Sequence, residues 1–504
     1  MTVTTSVHRR AVPPSLPETT KVEAAVNPKR WLILAVLGLA QLMVVLDATI
    51  VNIALPQAQH DLAFSNGDRQ WIVTAYALAF GSLLLLGGRL SDLFGRRTTF
   101  LVGLVGFATA SAIGGAASDV QMLIAARAGQ GIFGALLAPA ALSLLTLTFT
   151  DPAERGKAFG IFGAIAGGGG ALGLLLGGSL TEWADWRWCL YVNLVIAAIA
   201  FVGAFALLAK QKSDHRPKLD IPGTVVVSSA LFGIVYGFSQ AESEGWTAPV
   251  TLSWLLGGVA LLGVFGYLQA RVSNPLLPLR IIADRTRAGS FLTVFITGTG
   301  LFACFLFVTY YMQVNLGYSP IKTGLAFMPM ILGLVFTATR SAAIALPRFG
   351  PRLPMTVGML FSAAGMAYMT RITLDSSYVT DIMPALILVG MGVGAATAPA
   401  MQGAVSGVQQ EDAGVASAMV NTMQQIGGSI GTALLSTVAA TAAASYMEGK
   451  AASPLVAALA AVESYTTVFW WASGIFATGA VVAAVVVRKG LLPAAPEGTV
   501  VVGH

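Results

Sequence analysis

Apolar stretches of membrane-spanning length recur from Trp31 almost to the end of the chain, and no other feature restricts the fold so strongly. Fourteen of them begin near Trp31, Gln70, Thr99, Gln121, Lys157, Trp188, Ile221, Val250, Ala288, Ile321, Pro354, Ile382, Gly414 and Tyr465. Each runs about 20 residues or more, the length a helix needs to cross a bilayer. Backbone polar groups in hydrocarbon must be satisfied within the protein, so the stretches are predicted to be helices. The expected fold class is therefore all-α, integral to the membrane, with 14 spans. At 56% hydrophobic and 10% charged, the chain has too few charges to cover a soluble surface.

Residues 1–30 are polar and contain prolines, with no apolar core followed by a small-residue cleavage site. They read as a cytoplasmic tail rather than a signal peptide. With that end inside, most of the 29 Lys and Arg fall on the cytoplasmic side, among them Lys29, Arg30, Arg96, Arg97, Lys210, Lys212, Arg216, Arg280, Arg285, Arg348, Arg352, Arg488 and Lys489. This is the positive-inside bias, and an even number of spans puts both termini in the cytoplasm. The net charge of +6 thus reads as a topology signal toward the lipid bilayer, and no nucleic-acid partner is expected. The four His residues, at 8, 60, 215 and 504, fall outside the expected spans. Cys189 and Cys304 read as small core residues without metal or disulfide spacing. No P-loop is present, so neither nucleotide nor other cofactor is implied.

Three weak matches recur between the two ends of the chain. Phe94-Gly95-Arg96-Arg97 returns as Phe349-Gly350-Pro351-Arg352, Ala138-Pro139-Ala140 as Ala398-Pro399-Ala400, and Glu154 to Ala158 as Asp412 to Ala416. Their separations all fall in the range of roughly 255–260 residues, which argues for two halves of common origin. The predicted organisation is a tail (1–30), a six-helix half (31–209), two inserted helices (210–271), a second six-helix half (272–488) and a tail (489–504). Parallel halves with a site between them near the midplane are a transporter architecture.

Asp47 is the one acidic residue with a full apolar segment around it. A lone acid in hydrocarbon is costly, so it is expected to face a protein interior and to have a function there. If the first helix ends near Pro56, Asp47 lies about 13 Å from its outer end, and Arg127 lies about 9 Å below the same surface on the fourth helix. A nearby cation and burial pull a carboxylate's protonation in opposite directions, which suits a proton-coupled carrier. A static ion pair that merely fixes two helices would place these residues in the same way. At the repeat spacing Asp47 aligns with Phe305 and Arg127 with Ile387, so the second half lacks these charges.

The stretch Gly88-Arg-Leu-Ser-Asp92-Leu-Phe-Gly95-Arg96-Arg97 resembles the signature loop of the major facilitator superfamily. Leu46-Asp47-x-Thr49-Ile-Val-Asn52-x-Ala-Leu-Pro56 resembles the first-helix motif of its fourteen-helix drug:proton antiporter branch, and Arg127-Ala-Gly-Gln130-Gly131 its fourth-helix motif. The glycines from Gly163 to Gly178 are similar to the antiporter motif of the fifth helix, with Leu174 where that motif has proline. The resemblance covers Trp31 to Lys489. It implies a role for Arg127 in proton transfer, and a cytoplasmic latch at Asp92, Gly95, Arg96 and Arg97, with Asp92 stabilising an outward-open state. Arg89 alone reads as a topology signal.

Gly169, Gly173, Gly177 and Gly178 are expected to form a packing face that also bends or seals, with Gly427 and Gly431 as its counterpart. Candidate cavity residues are Gln41, Asn52, Tyr76, Gln130, Tyr310, Asn421, Gln424 and Gln425, though helix-to-helix hydrogen bonding would explain any one of them. Arg340 fits either an anionic substrate or a snorkelling side chain. The resemblance implies a non-enzymatic, monomeric multidrug efflux antiporter of the bacterial inner membrane. It would exchange amphipathic small molecules for protons, with the proton gradient as its energy source. A dedicated exporter of one metabolite or a proton symporter is the rival within transport. A non-transporting sensor has no need of Asp47, Arg127 and Asp92 together.

Overall fold

A computed structural model describes residues 28–149, 152–209, 220–408, 412–451 and 453–492. Lys210, Lys212, Arg216 and most of both expected tails lie outside the described residues. The first six long helices are α1 (Arg30–Leu62), α2 (Asn66–Phe94), α3 (Arg96–Gly115), α4 (Val120–Thr148), α5 (Pro152–Trp183) and α6 (Trp188–Leu207). A pair follows, α7 (Ile221–Glu244) and α8 (Pro249–Arg271), and then a short α9 (Leu279–Ala283). The remainder comprises α10 (Arg285–Tyr310), α11 (Pro320–Ala326), α12 (Met328–Arg340), α13 (Leu346–Phe349), α14 (Arg352–Met369), α15 (Met383–Val405), α16 (Ala413–Met447) and α17 (Pro454–Val486). Short π-helical turns at Tyr311–Asn315, Ser341–Ala345 and Tyr378–Ile382 extend or join several of these.

Among the described residues, eleven helices are long and apolar enough to cross a membrane. The long helices α2, α5 and α14 pack in the same bundle. The protein is thus an all-helical membrane protein. Its two ends are distinct. One, the terminal end, carries Lys29, Arg30, Arg96, Arg97, Arg285, Arg352 and Arg488; the opposite, distal end carries the α1–α2 turn.

Two boundaries differ from expectation. α1 continues through Pro56 to Leu62, where Ala63 takes a left-handed φ of 50° and stops it. A proline costs a helix one backbone hydrogen bond, and packed neighbours in the bundle hold this one together. His60 therefore lies on the last turn of α1, and Asp47 sits about 22 Å along the helix from its end. α17 begins at Pro454, capped by the Ser453 hydroxyl, and so takes in Glu463, whose side chain is exposed.

Helix packing follows the small residues. A Cβ on Gly131 or Gly87 would strike backbone across the α2–α4 seam, and one on Gly427 or Gly431 would strike α10. Such close approach is how helices gain dispersion contacts where lipid removes the hydrophobic drive. Pro139 lies inside α4 and Pro399 inside α15. Arg30 pairs with Glu154 at 2.7 Å, and Arg280 with Asp412 at 2.7 Å, each pair tying the terminal ends of two helices. The α7–α8 pair lies against α2 and α16, where Ser228 donates to the Ser82 carbonyl at 3.3 Å and Thr437 to that of Phe238 at 3.1 Å. Near the distal end one apolar cluster spans early and late helices, from Leu55 and Phe64 to Phe305, Phe307 and Phe327.

A candidate proton site at Asp47

Four helices deliver polar side chains to one point in the first group. Asp47 on α1 is fully buried, as are Gln130 on α4, Asn193 on α6 and Ser111 on α3, and Arg127 on α4 is 2% exposed. Arg127 Nη1 donates to Asp47 Oδ2 at 2.6 Å. Gln130 Nε2 and Asn193 Nδ2 each donate to Oδ1 at 2.7 Å. Ser111 Oγ ties the two amides together, accepting from Gln130 at 2.7 Å and from Asn193 at 3.4 Å. The carboxylate meets three donors and no competing acceptor, the arrangement that suits an ionised oxygen pair.

The geometry of α4 explains why Arg127 and Gln130 act together. Three residues apart, they share a helix face, and Arg127 Nη1 also donates to Gln130 Oε1 at 2.7 Å. Arg127 Nε reaches the Ile72 carbonyl of α2 at 3.3 Å, and its guanidinium lies 4.3 Å from the ring centroid of Tyr76. One buried cation therefore joins α1, α2 and α4. Burying two charges costs several kcal/mol per ion unless their hydrogen bonds are met, and here both carboxylate oxygens and the Nε and Nη1 of the guanidinium are bonded.

Of the residues expected to line a cavity, Gln130 and Tyr76 belong to this cage. Asn52 is buried and bonds its own helix at the Ala48 carbonyl, 3.3 Å away. Tyr310 is buried at the distal end, where its hydroxyl donates to Gln59 Oε1 at 2.7 Å. Gln41, Asn421, Gln424 and Gln425 are half-buried, the last three on α16. Gln425 packs against Gly81 of α2, with its Oε1 buried and unbonded among the described residues. A groove of about 490 Å³ lined by Ile296, Trp470, Trp471, Gly474, Ile475 and Thr478 shares no residue with the cage.

The helix 5 glycines sit directly behind Asp47. A Cβ at Gly173 would fall on Thr49 Oγ1 and lie 3.0 Å from the Leu46 carbonyl, and one at Gly177 would lie 2.8 Å from Ile50 Cγ1. Gly169 faces Val45 at 3.1 Å, so three glycines seat α5 on the turn of α1 that carries the acid. Gly178 faces Ile321 at the start of α11, and the Leu174 carbonyl abuts Gly324, so the same helix reaches the later group.

The residues expected to form a latch lie at and beside the break between α2 and α3. Gly95 breaks the chain between α2 and α3 at φ 89°. Arg97 donates to the Phe205 carbonyl at 2.9 Å and lies over the Phe205 ring, and Arg89 donates to the Pro275 carbonyl at 2.8 Å. Arg96 is half-buried, and the Asp92 side chain lies outside what is described. Phe305, the repeat partner of Asp47, packs on Phe327 with ring centroids 5.2 Å apart. Arg340 is exposed and lies over the Phe336 ring.

Asn193 and Ser111 were not anticipated. Asn193 left a signal, as a lone amide in the otherwise apolar α6. Ser111 left none, because hydroxyls in membrane helices commonly bond their own backbone.

Residues 37–432 match the family described as the Major Facilitator Superfamily. The chain is 49% identical to the puromycin resistance protein pur8 of Streptomyces alboniger over 463 residues, covering 92% of each. It is 37% identical to the cephamycin export protein CmcT of Amycolatopsis lactamdurans, over 79% of this chain and 83% of that one. It is 30% identical to the multidrug resistance protein Stp of Mycobacterium tuberculosis (strain CDC 1551 / Oshkosh), over 82% and 76%. Among solved structures, an auto-inhibited POT family peptide transporter shares the fold with a TM-score of 0.63 at 16% identity, over 90% of this chain and 96% of that one. The chain is a membrane transporter, not an enzyme, and belongs to the Major Facilitator Superfamily.

Proposed function

We propose that this transporter exports amphipathic antibiotic-like molecules across the cytoplasmic membrane in exchange for protons. The carrying observation is the fully buried Asp47, paired at 2.6 Å with an almost fully buried Arg127. Adding a proton to Asp47 turns an acceptor into a donor inside a ring of donors. The donors facing the protonated oxygen, Arg127 at Oδ2 or Gln130 and Asn193 at Oδ1, must then find other acceptors, so the protonated carboxyl favours a different helix packing. A substrate that binds the two packings unequally is thereby coupled to the proton. The site is sealed in this conformation, so proton exchange accompanies opening.

The direction of transport rests on kinship. A relative named for puromycin resistance matches over nine-tenths of both chains. In this reading fourteen helices cross the membrane, the terminal end faces the cytoplasm in keeping with its Lys and Arg, and one chain suffices. The helices divide as 31–209, 210–271 and 272–488. Asp92, Gly95, Arg96 and Arg97 latch the cytoplasmic side. A narrower reading, export of one self-made compound, is favoured by the relatives named for single antibiotics.

Inside-out vesicles energised by a pH gradient test the function. Puromycin accumulation that stops when the gradient is discharged supports antiport. Accumulation of puromycin, a tetracycline and a lipophilic cation alike supports the broad reading, and of one alone the narrow. Gradient-driven loss of preloaded puromycin from the vesicles would mean symport and overturn the proposal.

A further inference from the structure

A second buried cation stands at the distal end. Arg69, in the first turns of α2, is 7% exposed. Its guanidinium lies 4.1 Å from the ring centroid of Tyr310 on α10, and the Tyr310 hydroxyl donates to Gln59 Oε1 of α1 at 2.7 Å. Among the described residues no carboxylate lies within ion-pair distance of Arg69, and its Nε has no hydrogen-bond partner. An aromatic face is therefore a main counterpart of this cation, an attraction that strengthens as water is excluded. Two further bonds cross the same seam between the early and late helices. Gln313 Nε2 donates to the Ile53 carbonyl at 3.2 Å, and the Ile321 N–H to Glu182 Oε2 at 3.1 Å.

Arg69 is also tied to the carboxylate cage. Ile72, one turn along α2, offers the carbonyl that accepts from Arg127 Nε. Arg127 Nη1 holds Asp47. The same guanidinium thus grips the acid with one nitrogen and the turn of α2 next to Arg69 with another.

We propose that Arg69, Tyr310 and Gln59 form the clamp that closes the distal end between the two groups of helices, and that Asp47 sets this clamp through Arg127 and the Ile72 carbonyl. Neutralising Asp47 deprives Arg127 of its anionic partner and leaves it Gln130 Oε1 and the Ile72 carbonyl. The first turns of α2 then shift against Tyr310, the cation–ring contact is lost and the seam opens. The linkage rests on the reading of Asp47 as the proton site; the clamp alone does not.

Distance measurements on the full-length protein in lipid nanodiscs test this. Spin labels at Ser118→Cys and Asp375→Cys report the distal end; both positions are exposed, whereas Cys189 and Cys304 are buried. Arg69→Ala and Tyr310→Ala are expected to raise the ratio of long to short distances about tenfold. Tyr310→Phe, which keeps the ring, raises it less. Asp47→Asn raises it too, but adds nothing on the Arg69→Ala background, since the two act through one element. Should Arg69→Ala fail to fold, Arg69→Lys keeps a cation without the broad guanidinium face and is expected to open partway.

Distances unchanged by Arg69→Ala or, in its place, Arg69→Lys would overturn the clamp, and fully additive effects of Asp47→Asn and the Arg69 variant would overturn its linkage to the acid. Vesicles in which no compound moves protons would remove the antiport reading, while these distances would still decide the clamp.

Discussion

Arg127 Nη1 stands 2.6 Å from Asp47 Oδ2, though the two are eighty positions apart in the chain, and essentially no solvent reaches either side chain. Arg127→Ala leaves a buried carboxylate unpaired, a loss of about 3–5 kcal/mol in stability. Arg127→Lys supplies the charge but cannot reach Asp47, Gln130 and the Ile72 carbonyl together, because an ammonium lacks the fork. Thermal unfolding should therefore show a large drop for the alanine variant and a small one for lysine, with exchange lost in both. A lysine variant that exchanges at the wild-type rate would show that charge alone suffices.

Asn193 is predicted to matter nearly as much as the ion pair. Its Nδ2 donates to Asp47 Oδ1 at 2.7 Å, and removing a donor from a buried charge costs about 1.5–3 kcal/mol. Asn193→Ala should lower both thermal stability and exchange. Asn193→Asp, which sets a second acid against the first, should lower exchange further. Wild-type exchange in Asn193→Asp would contradict the cage.

Two glycines one turn apart on α5 make a controlled pair. A Cβ at Gly170 meets Thr49 Cγ2 at 3.8 Å, an ordinary contact, whereas one at Gly173 collides with Thr49 Oγ1 and the Leu46 carbonyl. Gly173→Ala should cost about 1–3 kcal/mol by overpacking, and Gly170→Ala little. Thermal shifts of the two variants side by side would check this. Equal shifts would mean that α5 relaxes away from α1.

Arg340 should be dispensable for export. It is exposed and packed over Phe336, as a snorkelling side chain would be. Arg340→Gln is expected to change export by no more than about twofold. A selective loss of anionic compounds would return the residue to a substrate role.

The sequence disclosed the bundle because a spanning helix must be written as a long apolar run, and it disclosed Asp47 because a charge within such a run is exceptional. Depth arithmetic set Arg127 near the same level, but from a helix end at Pro56 that lies in fact at Leu62. The rest depended on facts that local sequence does not carry. The helix that bears Asp47 passes through Pro56 because its neighbours hold it, so its end was misplaced by a turn and a half. Ser111 looked like any membrane hydroxyl. The Arg69–Tyr310 contact pairs residues from different halves of the chain, and nothing in either segment names the other. Tyr310 was expected in a cavity, and its place in the seam between helix groups emerged only from their packing.

The most direct test of the central claim is proton release from inside-out vesicles on adding puromycin under an imposed pH gradient, comparing wild type with Asp47→Asn. The account predicts compound-dependent collapse of the gradient in wild type and none in the variant, with both proteins present at equal levels in the membrane. Collapse of equal size in the variant would contradict it, leaving Asp47 and Arg127 as a static pair that fixes α1 to α4.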